Sequence, residues 1–179
     1  LRMRKLRQHL RDLVALPSPS GHEKAVAAWC EGFLAPLGFE VEIDQADNLH
    51  ARRGEPPYVL LNAHMDTVQD QRDVFQIEHG GLLIPRLDLN YGFDDKAGIA
   101  IILSLAEIDG LSFKVLLTVE EETGGNGIKN LDPMFYDDVM CCLTLDRGGA
   151  SDMVYSIMGT RLASDEWIDA IDGIFRSGG

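Results

Sequence analysis

The chain has 179 residues, 45% hydrophobic and 25% charged, enough apolar material for one domain with a substantial core. Its 16 Lys and Arg against 29 Asp and Glu leave a net charge of −13, the wrong sign for a nucleic-acid surface or for docking on anionic lipid. No apolar run reaches the ~18 residues of a membrane helix, and the basic start Leu1-Arg2-Met3-Arg4-Lys5 has no apolar stretch behind it that would make it a signal peptide.

Met3, Leu6, Leu10 and Leu13 recur at helical spacing, and Pro17 ends that helix. Ser20-Gly21-His22-Glu23 reads as a capping box. It opens a second helix with an apolar face of Val26, Cys30, Phe33, Leu34 and Leu37, stopped by Gly38. Strands are predicted over 39–43 and 48–52. After Pro56-Pro57, the nearly continuous apolar run 58–63 reads as a strand covered on both faces. A hairpin over 75–84 turns at His79-Gly80-Gly81. A helix over 95–108 follows, then a buried strand over 113–119, a short helix or loop over 124–130, and a third buried strand over 139–145. A further strand is predicted over 152–157, and Ser164 caps a last helix running to Phe175. Trp29 and Trp167 fall in helical patterns and are expected in or beside the core.

This alternation places the chain in the α/β class, as a three-layer sandwich around a mixed, largely parallel central sheet. In such sheets ligands collect at the carboxyl ends of the strands. Residues 1–179 read as a single catalytic domain without a separate lid. The start at Leu1 and the stop just after a helical pattern lead us to expect that the parent protein continues. Cys30, Cys141 and Cys142 form no C-x-x-C pair, which argues against a thiolate zinc knuckle. An odd, irregular set points to buried thiols in a reducing, cytoplasmic compartment.

Four polar clusters stand just after the predicted strands or at a helix start. In Ala63-His64-Met65-Asp66-Thr67, residues i and i+2 of an extended chain face the same way. His64 could ligate a metal through one ring nitrogen while Asp66 accepts the proton on the other; a surface His–Asp pair would read the same. Gly92-Phe93-Asp94-Asp95-Lys96-Ala97-Gly98 sits at a loop-to-helix junction. One Asp there is an ordinary cap, but two exceed what capping needs, and one could bridge two cations with Lys96 tempering the charge. Val119-Glu120-Glu121-Glu122-Thr123 puts three acids after an apolar strand. They make either a solvated loop or a metal ligand beside a general base. Leu145-Asp146-Arg147-Gly148 ends a strand on an acid before glycines, a turn or a ligand.

Together, Leu60-Leu61-Asn62-Ala63-His64-Met65-Asp66-Thr67-Val68, Gly92-Phe93-Asp94-Asp95-Lys96-Ala97-Gly98, Glu121-Glu122-Thr123-Gly124 and Leu145-Asp146-Arg147-Gly148-Gly149 occur in an order that resembles the co-catalytic zinc peptidases. That superfamily includes peptidase T, glutamate carboxypeptidases and zinc aminopeptidases. The early Leu16-Pro17-Ser18-Pro19-Ser20-Gly21-His22-Glu23 is similar to its N-terminal segment. The resemblance implies the phosphorylase/hydrolase-like zinc exopeptidase fold. It also implies hydrolysis of peptide bonds by a water bridging two zinc ions, with cobalt or manganese as substitutes. Carried over residue by residue, it makes His64 a ligand oriented by Asp66, and Asp94 the bridge, with a cis peptide at Asp94-Asp95. Glu121 becomes the general base, Glu122 a ligand of the second ion and Asp146 a ligand of the first.

The sequence departs from the superfamily in one respect that bears on the metals. The second ion ordinarily takes a late histidine, but the histidines here are His9, His22, His50, His64 and His79. The second site is therefore expected either to draw on further sequence or to hold its ion weakly. The substrate implied is a small peptide, with an N-acyl amino acid as the alternative and self-association left open. A catalytically silent relative and an acidic calcium module are the other classes weighed; the acids lack EF-hand spacing.

Overall fold

The computed structural model describes residues 2–68, 76–79, 82–85, 92–146 and 153–177. The chain divides into two compact units, Leu1–Asp146 and Arg147–Gly179.

In the first unit, helix α1 (Arg2–Val14) buries Leu13 and Val14 completely. Helix α2 (Lys24–Leu34) buries Val26, Cys30 and Leu34, the face expected from their spacing. A 3₁₀ turn over Ala35–Leu37 ends on Gly38 at φ 85, a left-handed position that a side chain would disfavour. Strands β1 (Glu40–Ile43) and β2 (Leu49–Arg53) pair antiparallel, and β3 (Tyr58–His64) follows. The predicted hairpin is present as antiparallel β4 (Gln76–His79) and β5 (Leu82–Pro85), with Ile77 opposite Ile84; its turn lies outside the described residues. Helix α3 (Phe93–Ala106), strand β6 (Phe113–Thr118), the one-turn helix α4 (Asn126–Lys129) and strand β7 (Val139–Thr144) complete the unit.

The central sheet has the order β1-β2-β6-β3-β7. It is mixed, and the three strands that lead to the polar clusters are its parallel part, with β3 paired parallel to both β6 and β7. Alternation along these strands splits the apolar residues between two faces. Leu61, Ala63, Val115 and Leu117 pack with α1, α2 and α3 in the main core. On the other face Leu60 and Leu116 pack against Leu131, Phe135 and Val139 in a smaller cluster. Helix α3 is apolar nearly all round and buries Ile99, Ala100, Ile102 and Leu103, as a helix inside a core does. Arg53, at the end of β2, donates to the carbonyls of Leu37, Ala106, Ile108 and Leu111 and lies over the Phe39 ring.

Two expectations need correction. The third strand, β7, is not buried on both faces. Its residues alternate between half-buried and exposed, and Cys142 is exposed. The reason is its place at the sheet edge, paired with β3 alone among the described residues. The capping box is not formed either. Glu23 takes the N-cap position without a side-chain bond to the helix, and Ser20 turns away to Asp66. A bridge between Pro19 and Thr67 lays this segment beside the chain leaving β3, so Ser20 reaches a buried carboxylate instead.

In the second unit, β8 (Ser156–Ile157) and β9 (Thr160–Arg161) form a tight hairpin through Met158 and Gly159, both with positive φ. Helix α5 (Asp165–Ser177) starts where Ser164 accepts the Trp167 N–H, as predicted, with acidic Asp165 and Glu166 at its positive end. The strand predicted over 152–157 is shorter than expected, and Asp152 lies outside the described residues. Among the described residues no helix is long and apolar enough to cross a membrane.

Candidate metal centre

The three parallel strands deliver their polar residues to one end of the sheet. His64 is the last residue of β3, Asp66 lies two beyond it, Glu121 follows β6 by three and Asp146 follows β7 by two. Asp94 and Asp95 open α3 with non-helical backbone angles, and the peptide between them is cis, as the resemblance implied.

His64 is the hub. Its Nε2 faces Asp94 Oδ1 at 3.4 Å, Glu121 Oε2 at 3.9 Å and Asp146 Oδ1 at 3.9 Å. Its imidazole is only 3% exposed, whereas the carboxylates of Asp94, Glu121 and Asp146 are 65%, 47% and 33% exposed. A buried nitrogen therefore forms the floor of an open, acidic mouth. Donor atoms of His64, Glu121 and Glu122 lie within 4.8 Å of one another, as do those of His64, Asp95 and Asp146. The predicted ligands His64, Asp94, Glu122 and Asp146 and the predicted base Glu121 thus meet, though they are spread over 83 positions of sequence from 64 to 146.

Asp66 sits beneath this cluster, fully buried. Its Oδ1 accepts from His64 Nδ1 at 3.1 Å, and its Oδ2 accepts the Ser20 hydroxyl at 2.7 Å. The same two oxygens take the backbone N–H groups of Glu121 and Glu122 at 3.0 and 3.1 Å. Burial alone would raise the Asp66 carboxyl, but these four hydrogen bonds outweigh it and hold it at about 2. The residue thus stays an acceptor for Nδ1–H, which leaves Nε2 facing the mouth as the ring nitrogen whose proton a metal ion would displace.

The carboxylates repel one another. Burial raises Asp146; His64 draws it down, and Asp94 and Glu121 push it back up, leaving it at about 6. Glu122 is raised as well, by burial and then by Asp94, Glu121 and Asp66 against the pull of His64. For His64, burial opposes a charge, yet the bond to Asp66 and the fields of Asp95, Asp66 and Asp146 raise it to about 9. Among the described residues no lysine or arginine pairs with Asp94, Glu121, Glu122 or Asp146. Lys96 is buried and donates to the Leu16 carbonyl. One imidazole nitrogen with several carboxylate oxygens, short of positive charge, fits a borderline divalent ion such as zinc.

Asp95 is a buried member of the site that sequence reasoning passed over. Its oxygens accept the backbone N–H groups of His64 at 3.3 Å and Gly98 at 3.0 Å. Burial and the nearby Asp146 raise it to about 8, against the pull of His64 and those two N–H bonds. Asp95 lies with His64 and Asp146 among the donor atoms within 4.8 Å of one another, while the carboxylate of Asp94 is the more exposed of the pair. Ser20 and Glu23 were also missed as site residues; their membership of the Pro17–Glu23 segment was the available signal.

No family model matches the chain. A [LysW]-lysine hydrolase of Deinococcus radiodurans is 38% identical over 78 residues, which are 43% of this chain and 21% of that protein. The cytosol non-specific dipeptidase of Escherichia coli is 28% identical over 134 residues, 64% of this chain and 27% of that one. The crystal structure of a Staphylococcus aureus tripeptidase superposes with a TM-score of 0.74 at 25% identity, covering 82% of this chain and 44% of that one. The chain's relatives and structural neighbours are thus peptidases and hydrolases of the peptidase T and dipeptidase kind. Across these peptidase T-like proteins the match covers less than half of each partner's length, 21% to 44%. The peptidase T-like fold and the His64-centred mouth are the parts this chain contains.

Proposed function

We propose that residues 1–179 form the metal-binding catalytic domain of an amide hydrolase that trims small peptides from one end, in the cytoplasm. The observation that carries this reading is the meeting at His64 Nε2 of three carboxylates from three separate elements, all within 3.4–3.9 Å. Two zinc ions, held by His64, Asp94, Glu122 and Asp146, would supply electrophilic polarisation of the amide carbonyl and a more acidic water. Asp94, 3.4 Å from His64 Nε2, would be the carboxylate shared by the two ions. Asp66 keeps His64 in the tautomer that offers Nε2. Glu121 is left for proton transfer: its carboxylate takes a proton from the attacking water and returns it to the departing amine. The relatives support the reaction class, since they include a dipeptidase and a tripeptidase.

A second substrate class has its own support. The Deinococcus relative is named a hydrolase of [LysW]-lysine, so amide substrates beyond short peptides belong to the superfamily's range, and an N-acyl amino acid is the alternative here.

The test combines metal analysis with cleavage assays on dipeptides, tripeptides and N-acetyl amino acids. Glu121→Gln is expected to bind zinc as the unaltered chain does while losing 10²–10⁴-fold in turnover, the usual contribution of a general base. Retained turnover in that variant would remove Glu121 from its role. Cleavage confined to N-acetyl amino acids would select the second substrate class.

A further inference from the structure

The loop that carries Glu121 and Glu122 leaves β6 after Thr118, and its next four backbone N–H groups each end on a side-chain oxygen from elsewhere. Val119 donates to Asn48 Oδ1 at 3.2 Å, Glu120 to Glu23 Oε1 at 3.0 Å, Glu121 to Asp66 Oδ1 at 3.0 Å and Glu122 to Asp66 Oδ2 at 3.1 Å. All three acceptors are buried. Asn48 stands before β2, Asp66 just after β3, and Glu23 at the start of α2, 97 residues from the amide it holds.

Glu23 is the charged acceptor among them that bonds no proposed metal ligand's side chain. Its Oε1 takes two N–H groups, from Gly21 at 2.9 Å and from Glu120. Among the described residues no lysine or arginine pairs with it, so these charge-assisted bonds are what offset its burial. Glu120 itself has φ +52, a left-handed conformation that a glutamate seldom adopts. Its side chain is tied to Asn126 at 2.7 Å. The loop thus holds an unfavourable backbone angle at the residue just before the base, and the bond from Glu23 lands on that residue's amide.

We propose that Glu23 is a positioning residue for the metal centre: through the Glu120 N–H it sets where the carboxylates of Glu121 and Glu122 stand over His64. The proposal rests on the reading of those two residues as base and ligand. Glu23 touches neither substrate nor metal, so its effect must pass through the loop.

The experiment compares Glu23→Ala, Glu23→Asp and Glu23→Gln. Aspartate keeps the charge but is one methylene too short to reach Glu120, and glutamine keeps an acceptor oxygen at full length. Amide exchange in the metal-free chain reads the loop, and calorimetric zinc titration reads the site. In Glu23→Ala and Glu23→Asp the amides of Glu120, Glu121 and Glu122 are expected to exchange at least about tenfold faster. Zinc should bind about tenfold more weakly, the usual cost of removing support behind a ligand. Amides of β6 should keep their protection, and Glu23→Gln, which keeps the oxygen at full length but not the charge, should fall between the unaltered chain and Glu23→Asp on both readouts. If Glu23→Ala fails to fold, Glu23→Asp decides. Unchanged loop exchange in Glu23→Asp, a loosened loop with unchanged zinc affinity, or equal loss of protection in β6 would overturn the proposal. An unaltered chain that binds no zinc would instead overturn the functional reading, and the exchange pattern would still show whether Glu23 holds the loop.

Discussion

Asp66 shows how one side chain can serve two tasks. Its oxygens take His64 Nδ1 and also two consecutive amides of the Glu121–Glu122 loop. An asparagine in its place must offer an NH₂ where the protein offers only donors. Asp66→Asn is therefore expected to lower zinc affinity 10- to 100-fold, and calorimetry showing no loss would contradict the role given to this carboxylate. Cys30 makes a different residue-scale point. It is fully buried, and burial pushes its thiol from 9.0 up to about 12. A pKa raised in the folded state stabilises the fold below the unfolded value and loses that contribution as pH rises toward the folded one. At pH 7 Cys30→Ala should cost about 1 kcal/mol of buried apolar contact. Above pH 9 the intact chain loses about 1.4 kcal/mol per pH unit from this thiol, so the variant's deficit should vanish near pH ~10. Urea unfolding at pH 7, 9 and 10 would show this, and a deficit independent of pH would refute it.

Among elements, the ends matter more than the middles. The 3₁₀ turn after α2 leaves a carbonyl at Leu37, and the end of α3 and the turn beyond it leave carbonyls at Ala106, Ile108 and Leu111; the Arg53 guanidinium closes all four at 2.8–3.1 Å. A lysine at this position can satisfy one or two of them and loses the planar contact with Phe39. Each buried carbonyl left open costs about 1–3 kcal/mol, so Arg53→Lys should destabilise the chain by about 2–4 kcal/mol in denaturant unfolding. A change below about 1 kcal/mol would show that water replaces the lost bonds. The helices themselves followed from spacing, because Val26, Cys30 and Leu34 repeat on one face whatever the rest of the fold does. The burial of β7 did not follow, because the run Val-Met-Cys-Cys-Leu-Thr looks the same at a sheet edge as at its centre.

At the scale of the molecule, part of the acidic excess behind the net charge of −13 is placed where it can act. Six acids, Asp66, Asp94, Asp95, Glu121, Glu122 and Asp146, gather around the His64 imidazole at one end of the sheet. On the proposed assignment, an ion on His64, Asp94 and Asp146 would have a nitrogen ligand, whereas an ion on Asp94 and Glu122 would have carboxylates alone. Zinc favours the first. Titration is therefore expected to show a tighter and a weaker phase, with His64→Ala abolishing the tighter and Glu122→Gln the weaker. A single phase insensitive to His64→Ala would place the metal elsewhere.

What the sequence determined by itself was periodic or contiguous. Helical spacing, the parallel strands 58–63 and 113–119, the acids adjacent to them and the α/β class were all legible, because each depends on residues within a few positions of one another. The motifs singled out His64, Asp66, Asp94, Glu121, Glu122 and Asp146 as candidates. The tertiary structure alone decided that their atoms face one point, that Ser20 serves Asp66 and not helix α2, that Asp95 is tied to backbone, and that Glu23 reaches the amide of Glu120. Hydrogen bonds between residues 31 to 97 positions apart leave no local trace in composition or period, since they exist only after the strands have paired and brought their ends together.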